Sequence, residues 1–214
     1  DLVGILSARH DRSNAIDKFI LIGDYKQLPA IAQQEEEEAR VDDPLLQSIG
    51  LNDCRNSLFE RLYKQSKEDF RSILHKQGRM HPAISEFPNQ TFYYREQLEP
   101  VPLPHQEECL PYASAPAPQD NLDKLIQSRR MVFIPADAPD NLAYSEKTNI
   151  NEARIVAALL ERIYRMTSGT FDAYKTVGVI VPYRNQIAMI RREIARKGIP
   201  ELAHISIDTV ERYQ

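Results

Sequence analysis

The chain has little cysteine, no excess of basic charge and no long apolar run, and each shortage removes a class of protein. Its two cysteines, Cys54 and Cys109, lie far apart and without a C-x-x-C spacing. Neither a disulfide framework nor a zinc site is expected, and free thiols in a reducing compartment are, cytoplasmic or, in a eukaryote, nuclear. Apolar runs such as Val177-Gly178-Val179-Ile180-Val181 fall far short of the roughly 20 residues a membrane span requires, so no membrane is expected among its partners. A formal net charge of −4 argues against holding nucleic acid by bulk charge alone, though a local groove remains compatible with it. The opening residues, Asp1-Leu2-Val3-Gly4, lack an initiator methionine and the basic-then-apolar pattern of a signal peptide. They read as a boundary within a longer protein.

What is present is ordinary folded-protein composition: 214 residues, 42% hydrophobic and 27% charged, enough for one large domain or two small ones with a core in each. Charge is uneven, with 15 Lys+Arg against 21 Asp+Glu in residues 1–129 and 12 against 10 in residues 130–214. Four apolar runs end in turn or breaker residues: Phe19-Ile20-Leu21-Ile22 before Gly23-Asp24, Met131-Val132-Phe133-Ile134 before Pro135, Val177 to Val181 before Pro182, and Ile205-Ser206-Ile207 before Asp208. Each is the pattern of a strand buried on both faces. Helical stripes lie between the later ones: Ile155, Val156, Leu159, Leu160 and Ile163, then Ile187, Ile190 and Ile194. Asn149 and Glu152 form a candidate capping box for the first of these. Strands alternating with helices predict an α/β fold with parallel sheets and crossover helices.

The first half is less regular. Ser57 to Tyr63 predicts a helix, and Glu35 to Glu38 a solvated loop or exposed helical turn. Pro100 to Pro118 is proline-rich without a period and reads as a linker.

Ligands of open parallel sheets bind where strands end, because loops and helix N-termini converge there. Three polar segments occupy such positions: Gly23-Asp24-Tyr25-Lys26-Gln27-Leu28-Pro29, Pro182-Tyr183-Arg184-Asn185-Gln186 and Asp208-Thr209-Val210-Glu211-Arg212-Tyr213-Gln214. A fourth, Gln77-Gly78-Arg79-Met80-His81-Pro82, sets an arginine just before a proline-started helix, and arginine suits bidentate contact with phosphate.

In order and spacing, these segments, with Phe87 and Phe92-Tyr93 following the fourth, resemble successive motifs of superfamily 1 helicases, and specifically of the Upf-like branch, whose members act on RNA or DNA. The resemblance runs along nearly the whole chain. It implies parts of two RecA-like P-loop NTPase domains, with ATP and Mg2+ bound between them in the intact protein and a single strand of DNA or RNA across them. On that resemblance residues 1–98 are expected to close the first domain, 99–129 to link, and 130–214 to begin the second. Gln27 resembles the glutamine that senses the γ-phosphate, a role an amide suits because it both donates and accepts. Arg79 resembles an arginine that approaches the same phosphate, where its fork would stabilise charge on the transferring group. Asp24 and Gln214 join these two in the nucleotide-binding set. Tyr183, Gln186, Asp208 and Thr209 form the nucleic-acid-binding set, the threonine hydroxyl being a natural donor to a backbone phosphate.

Three departures qualify the resemblance. Gly78 stands where the family commonly has a tyrosine that stacks on adenine, so adenine contact is expected from elsewhere. No G-x-x-x-x-G-K-[ST] loop and no Asp-Glu pair occur in these 214 residues, so no tight ATP or Mg2+ binding and no activity is expected of the chain by itself. A glycine and an arginine expected after Gln214 are likewise not in it. Two other readings stay open: part of a helicase–nuclease fusion, and a non-hydrolysing RecA-like scaffold that binds partners. Plainer roles are also set beside the functional ones. Asp24 alone would be a turn cap, Tyr183 and Gln186 could cap a helix, and His81 is expected to bond near a helix start rather than act as a base. Arg191, Arg192, Arg196 and Lys197 are expected on a solvated helix face.

Overall fold

The computed structural model describes residues 4–5, 7–29, 31–110, 112, 114–137 and 147–213. The chain divides into two compact units: Asp1–His75 with Asn89–Leu98, and Lys76–Pro88 with Glu99–Gln214.

The first unit is built mainly from short elements and turns. β1 (Arg9–His10) and β2 (Ser13–Asn14) form an antiparallel pair. α1 (Glu36–Ala39) and α2 (Pro44–Ser48) are single turns, the second capped by Asp43, which accepts from the backbone of Leu45 and Leu46. α3 (Leu58–Gln65) starts where the Ser57 hydroxyl accepts from the Glu60 N–H, the local chemistry that makes serine a good cap. The phenyl ring of Phe59 lies against Gly23, where an added Cβ would come within 3.2 Å of it. Among the described residues of this unit only Ala39 and Val41 are buried hydrophobics.

The second unit holds the core. Here β3 (Lys76–Gln77) runs parallel to β4 (Glu99–Pro100). α4 (Pro82–Thr91) follows β3, and the chain passes from this unit to the first within it, beside the internal Pro88. α5 (Pro104–Glu107) and α6 (Asn121–Ser128) lie in the stretch read as a linker. α7 (Ile150–Met166) packs Ala153, Ala157 and Leu160 against Ile190 and Ile194 of α8 (Arg184–Ala195). β5 (Gly178–Val181) pairs in parallel with β6 (Ser206–Thr209), Val181 opposite Thr209, with α8 as the crossover. Leu202 and Ile205 close this core at 0% and 2% exposure. The predicted α/β class with parallel strands and crossover helices is what the chain adopts.

Two predicted strands do not form. Phe19 to Ile22 is irregular and exposed, Ile20 at 77% and Ile22 at 90%; Met131 to Ile134 is irregular too, with Phe133 at 89%. The run from Val177 and the one at Ile205 became strands because each supplies the other's hydrogen-bond partner. For the other two runs no such partner exists among the described residues, and apolar character alone cannot satisfy a strand's backbone. The segment 99–129 read as a link also carries regular structure at its end. Asp120 caps α6, and the buried Asp123 carboxylate meets Arg162 and Arg165 of α7, tying the two helices together. Arg162 also reaches Asp120 at 2.7 Å. The Asp120 carboxyl is held below its ordinary range, first by the Asp123 N–H and then by Arg162.

Candidate functional site

The polar segments singled out in the sequence fall in three places, one in the first unit and two in the second. In the first unit, Asp24 organises a tight turn. Its carboxylate accepts from the Lys26 N–H at 3.0 Å, from the Gln27 side-chain amide at 3.2 Å and from the Tyr93 hydroxyl at 2.5 Å. The Gln27 N–H closes the turn onto the Asp24 carbonyl at 3.3 Å. Asp24 therefore does act as a turn cap, and it also holds the Gln27 amide. Beside it, the Lys26 ammonium donates to the Phe92 carbonyl at 2.8 Å and to Glu96 at 2.6 Å, and lies 5.3 Å from the centre of the Tyr93 ring. The hydrogen bond from Lys26 lowers the Glu96 pKa, while burial and the neighbouring Asp24 carboxylate raise that of Tyr93. An open depression of about 440 Å³, lined by Tyr25, Lys26, Phe92, Tyr94 and Arg95 among others, adjoins this turn.

In the second unit, β3 ends in the loop that carries Arg79. The Gln77 side chain folds over its own loop, accepting from the Arg79 N–H at 3.1 Å and the Met80 N–H at 2.7 Å and donating to the Met80 carbonyl at 2.7 Å. From α5, the Gln106 amide nitrogen reaches the Gln77 and Met80 carbonyls, both at 2.9 Å, and His105 Nε2 meets the Gly78 carbonyl at 2.8 Å. Leu103 lies 3.2 Å from where a Gly78 Cβ would stand. A larger residue there, such as the family's tyrosine, would have to displace it. Arg79 itself is exposed, and among the described residues no hydrogen bond or ion pair engages its guanidinium. His81 Nδ1 accepts from the Ala83 N–H at the start of α4, the structural role expected of it.

The third place is the carboxyl edge of the β5–β6 pair. Val181 and Thr209 are register partners, so Pro182-Tyr183-Arg184 and the 3-10 turn Val210–Arg212 leave the sheet side by side. Asp208 accepts from the Thr209 N–H at 2.8 Å and from Arg212 at 3.2 Å, which in that order hold its carboxyl below the ordinary range, with Arg184 adding to the effect. Thr209 is buried, and its hydroxyl lowers the Glu211 pKa by hydrogen bonding. Tyr183 is exposed, with the Lys147 ammonium 5.9 Å from its ring centre.

Gln186 is 3% exposed, and its amide spans the backbone of Asn149, accepting from the N–H at 2.9 Å and donating to the carbonyl at 2.8 Å. Asn149 caps α7 as predicted, but its N–H is taken by Gln186 rather than by Glu152. Gln214 lies outside the described residues. The basic residues of α8 and beyond are largely paired: Arg196 with Glu193, Lys197 with Glu161, and Arg191 with the Ala203 carbonyl. Lys26, Glu96, His105 and Gln106 were given no role from the sequence, and Tyr93 appeared only inside a motif. Their contacts join positions 26 to 70 residues apart, which no local pattern reveals.

Among the described residues no group of three or more His, Cys, Asp or Glu side chains could hold a metal ion. No helix of the described residues is long and apolar enough to cross a membrane.

Comparison with known proteins finds helicases. A family model described as an AAA domain matches residues 54–214. Helicase SEN1 of Saccharomyces cerevisiae is 29% identical over 140 residues, which is 65% of this chain and 6% of that protein. The DNA polymerase alpha-associated DNA helicase A of Schizosaccharomyces pombe is 30% identical over 208 residues, 92% of this chain and 27% of the relative. The DNA replication ATP-dependent helicase/nuclease JHS1 of Arabidopsis thaliana is 27% identical over 200 residues, 92% of this chain and 13% of the relative. The chain thus spans less than a third of the length of each of these relatives. With most of its length matched by the family model and the helicase motifs in sequence order, the chain belongs to the AAA-domain family, within the Upf-like branch of superfamily 1 helicases.

Proposed function

We propose that this chain forms part of an ATP-driven helicase or translocase that moves on single-stranded nucleic acid. Arg79 and Gln27 read the γ-phosphate of ATP, and the carboxyl edge at Tyr183 and Asp208 meets the strand, with the buried Thr209 hydroxyl turned to Glu211 instead. The observation that carries this reading is Arg79: an exposed guanidinium, unpaired among the described residues, on a loop whose backbone is fixed on both sides. Surface arginines that serve only solubility have no need of such a mount. An arginine that must reach a phosphoryl group does, because preorganised charge stabilises the transition state without reorganising during the reaction. Gln27 fits a sensing role in a different way. Its amide rests on Asp24 and can exchange that partner for a phosphate oxygen at little expense, since both are anionic acceptors. At the sheet edge, the exposed Tyr183 ring offers a surface on which a base can stack.

The test is ATP hydrolysis by the full-length protein that carries this chain, with and without single-stranded DNA or RNA. The expected result is hydrolysis that rises when strand is added. Absence of hydrolysis, or a rate indifferent to both nucleic acids, would contradict the proposal. The likeness to a relative named as a helicase/nuclease supports a second reading, in which the motor is joined to a nuclease. Degradation of an end-labelled strand in the same assay would favour it.

A further inference from the structure

We infer that Gln106 is the positioning residue of the arginine loop, an inference that rests on the reading of Arg79 as the group that reaches the γ-phosphate. Gln106 lies on α5, a single helical turn within the proline-rich stretch, and is 2% exposed. Its Nε2 carries two N–H groups, and they go to two carbonyls on either side of Arg79, those of Gln77 and Met80, each at 2.9 Å. The other end of the amide is anchored by the Leu103 N–H at 3.3 Å. One nitrogen therefore fixes the chord of the loop from which Arg79 projects. The Gln77 side chain fixes the inner face, through the N–H groups of Arg79 and Met80. His105, the neighbour of Gln106, bonds the Gly78 carbonyl from the same helical turn. The peptide groups flanking Arg79 are held by hydrogen bonds while its side chain is left unengaged among the described residues.

A buried amide that donates both protons to the ends of one loop does more than fill space. An apolar side chain of the same length would pack the site equally well but would take one of two donors from each carbonyl, leaving that of Gln77 with the Val101 N–H and that of Met80 with the Gln77 amide, and would remove the only link that ties the two together through one nitrogen among the described residues. The direction of the Arg79 Cα–Cβ bond follows from the dihedrals those carbonyls set, and a misplacement of about 1 Å at a reacting group can reduce a rate roughly a hundredfold. Gln106 is 26 residues from Met80 and 29 from Gln77, so the proline-rich stretch acts as a mount for the catalytic loop as well as a connection.

The experiment compares Gln106→Met, Arg79→Ala and the double variant in the full-length protein, measuring strand-stimulated ATP hydrolysis, the KM for ATP, strand affinity and thermal unfolding. Gln106→Met is expected to lower kcat by roughly tenfold or more with KM and strand affinity unchanged. In the Arg79→Ala background it is expected to lower kcat no further, because it acts through that arginine. An unchanged kcat in Gln106→Met, or an additional loss in the double variant, overturns the inference. If Gln106→Met does not fold, His105→Ala serves in its place. It removes an exposed contact to the same loop and should lower kcat by a smaller factor without moving KM; no loss overturns the inference there too. The two readings fail separately: Arg79→Ala with full activity defeats the phosphate role and the inference with it, whereas an inactive Arg79→Ala beside a fully active Gln106→Met defeats the inference alone.

Discussion

The Asp24–Gln27 turn and the Gln77–Met80 loop are both short segments that end a run and present one polar side chain, yet they are held by opposite chemistry. The turn is held by charge: a carboxylate taking three donors, with an ammonium and a second carboxylate beside it. The arginine loop is held by neutral amides and an imidazole bonded to backbone groups. The difference extends to the side chains presented. The Gln27 amide is already engaged with Asp24, whereas the Arg79 guanidinium is not engaged among the described residues. A guanidinium beside a fixed carboxylate would be neutralised before any phosphate arrived, and a neutral cradle avoids that. A glutamine has no charge to lose, so a charged cradle can hold it.

Removing the charge from the turn should therefore disturb it most. Asp24→Ala takes away the acceptor of three donors. It should lower the strand-stimulated hydrolysis rate of the full-length protein by roughly tenfold and destabilise the turn by about 2 kcal/mol, as read by hydrogen exchange of the Lys26 and Gln27 amides. Should those amides stay as protected as before, the turn is held by something other than Asp24.

A smaller effect is expected of the ion pair beside it. The pair with Lys26 holds the Glu96 carboxyl below its usual value of 4.5, so the unfolded chain binds the proton more readily than the folded one. The stability the pair contributes is thus fully present above that value and is lost as pH falls through the lower folded-state value. Glu96→Gln should lose about 1 kcal/mol or less near neutral pH and match the unsubstituted protein in acid. The arginine loop, which has no carboxylate in its cradle, should show no such acid limb. A loss in Glu96→Gln that persists unchanged into acid would remove the charge-held side of the comparison.

Much of the second unit could be read from the sequence, because its runs find their partners within the same stretch. Val177 to Val181 and Ile205 to Ile207 pair with each other across α8, and the apolar stripes of α7 and α8 face each other. The same reading applied to Phe19–Ile22 and Met131–Ile134 gave strands that are not there. Apolar character records a preference for burial, whereas a strand is a relation between two segments. The candidate site divided along a similar line. Asp24, Gln27 and Arg79 were legible because they sit inside uncommon motifs of fixed spacing. Tyr93 and Glu96 contact the turn from about 70 residues away, and Gln106 bonds the arginine loop out of a stretch with no period at all. A neutral glutamine among prolines carries no sequence signal for this work. The signal is a buried amide whose two protons end on one loop, and it exists only once the chain has folded.

The most direct test of the account is single-turnover ATP hydrolysis by the full-length protein carrying Arg79→Ala, at saturating ATP and saturating single strand, with strand binding measured on the same sample. The chemical step is expected to slow by about a thousandfold, the scale on which a phosphate-directed arginine acts, while strand affinity stays as it was. An unchanged single-turnover rate, or a loss of strand binding in proportion to the loss of rate, would contradict it.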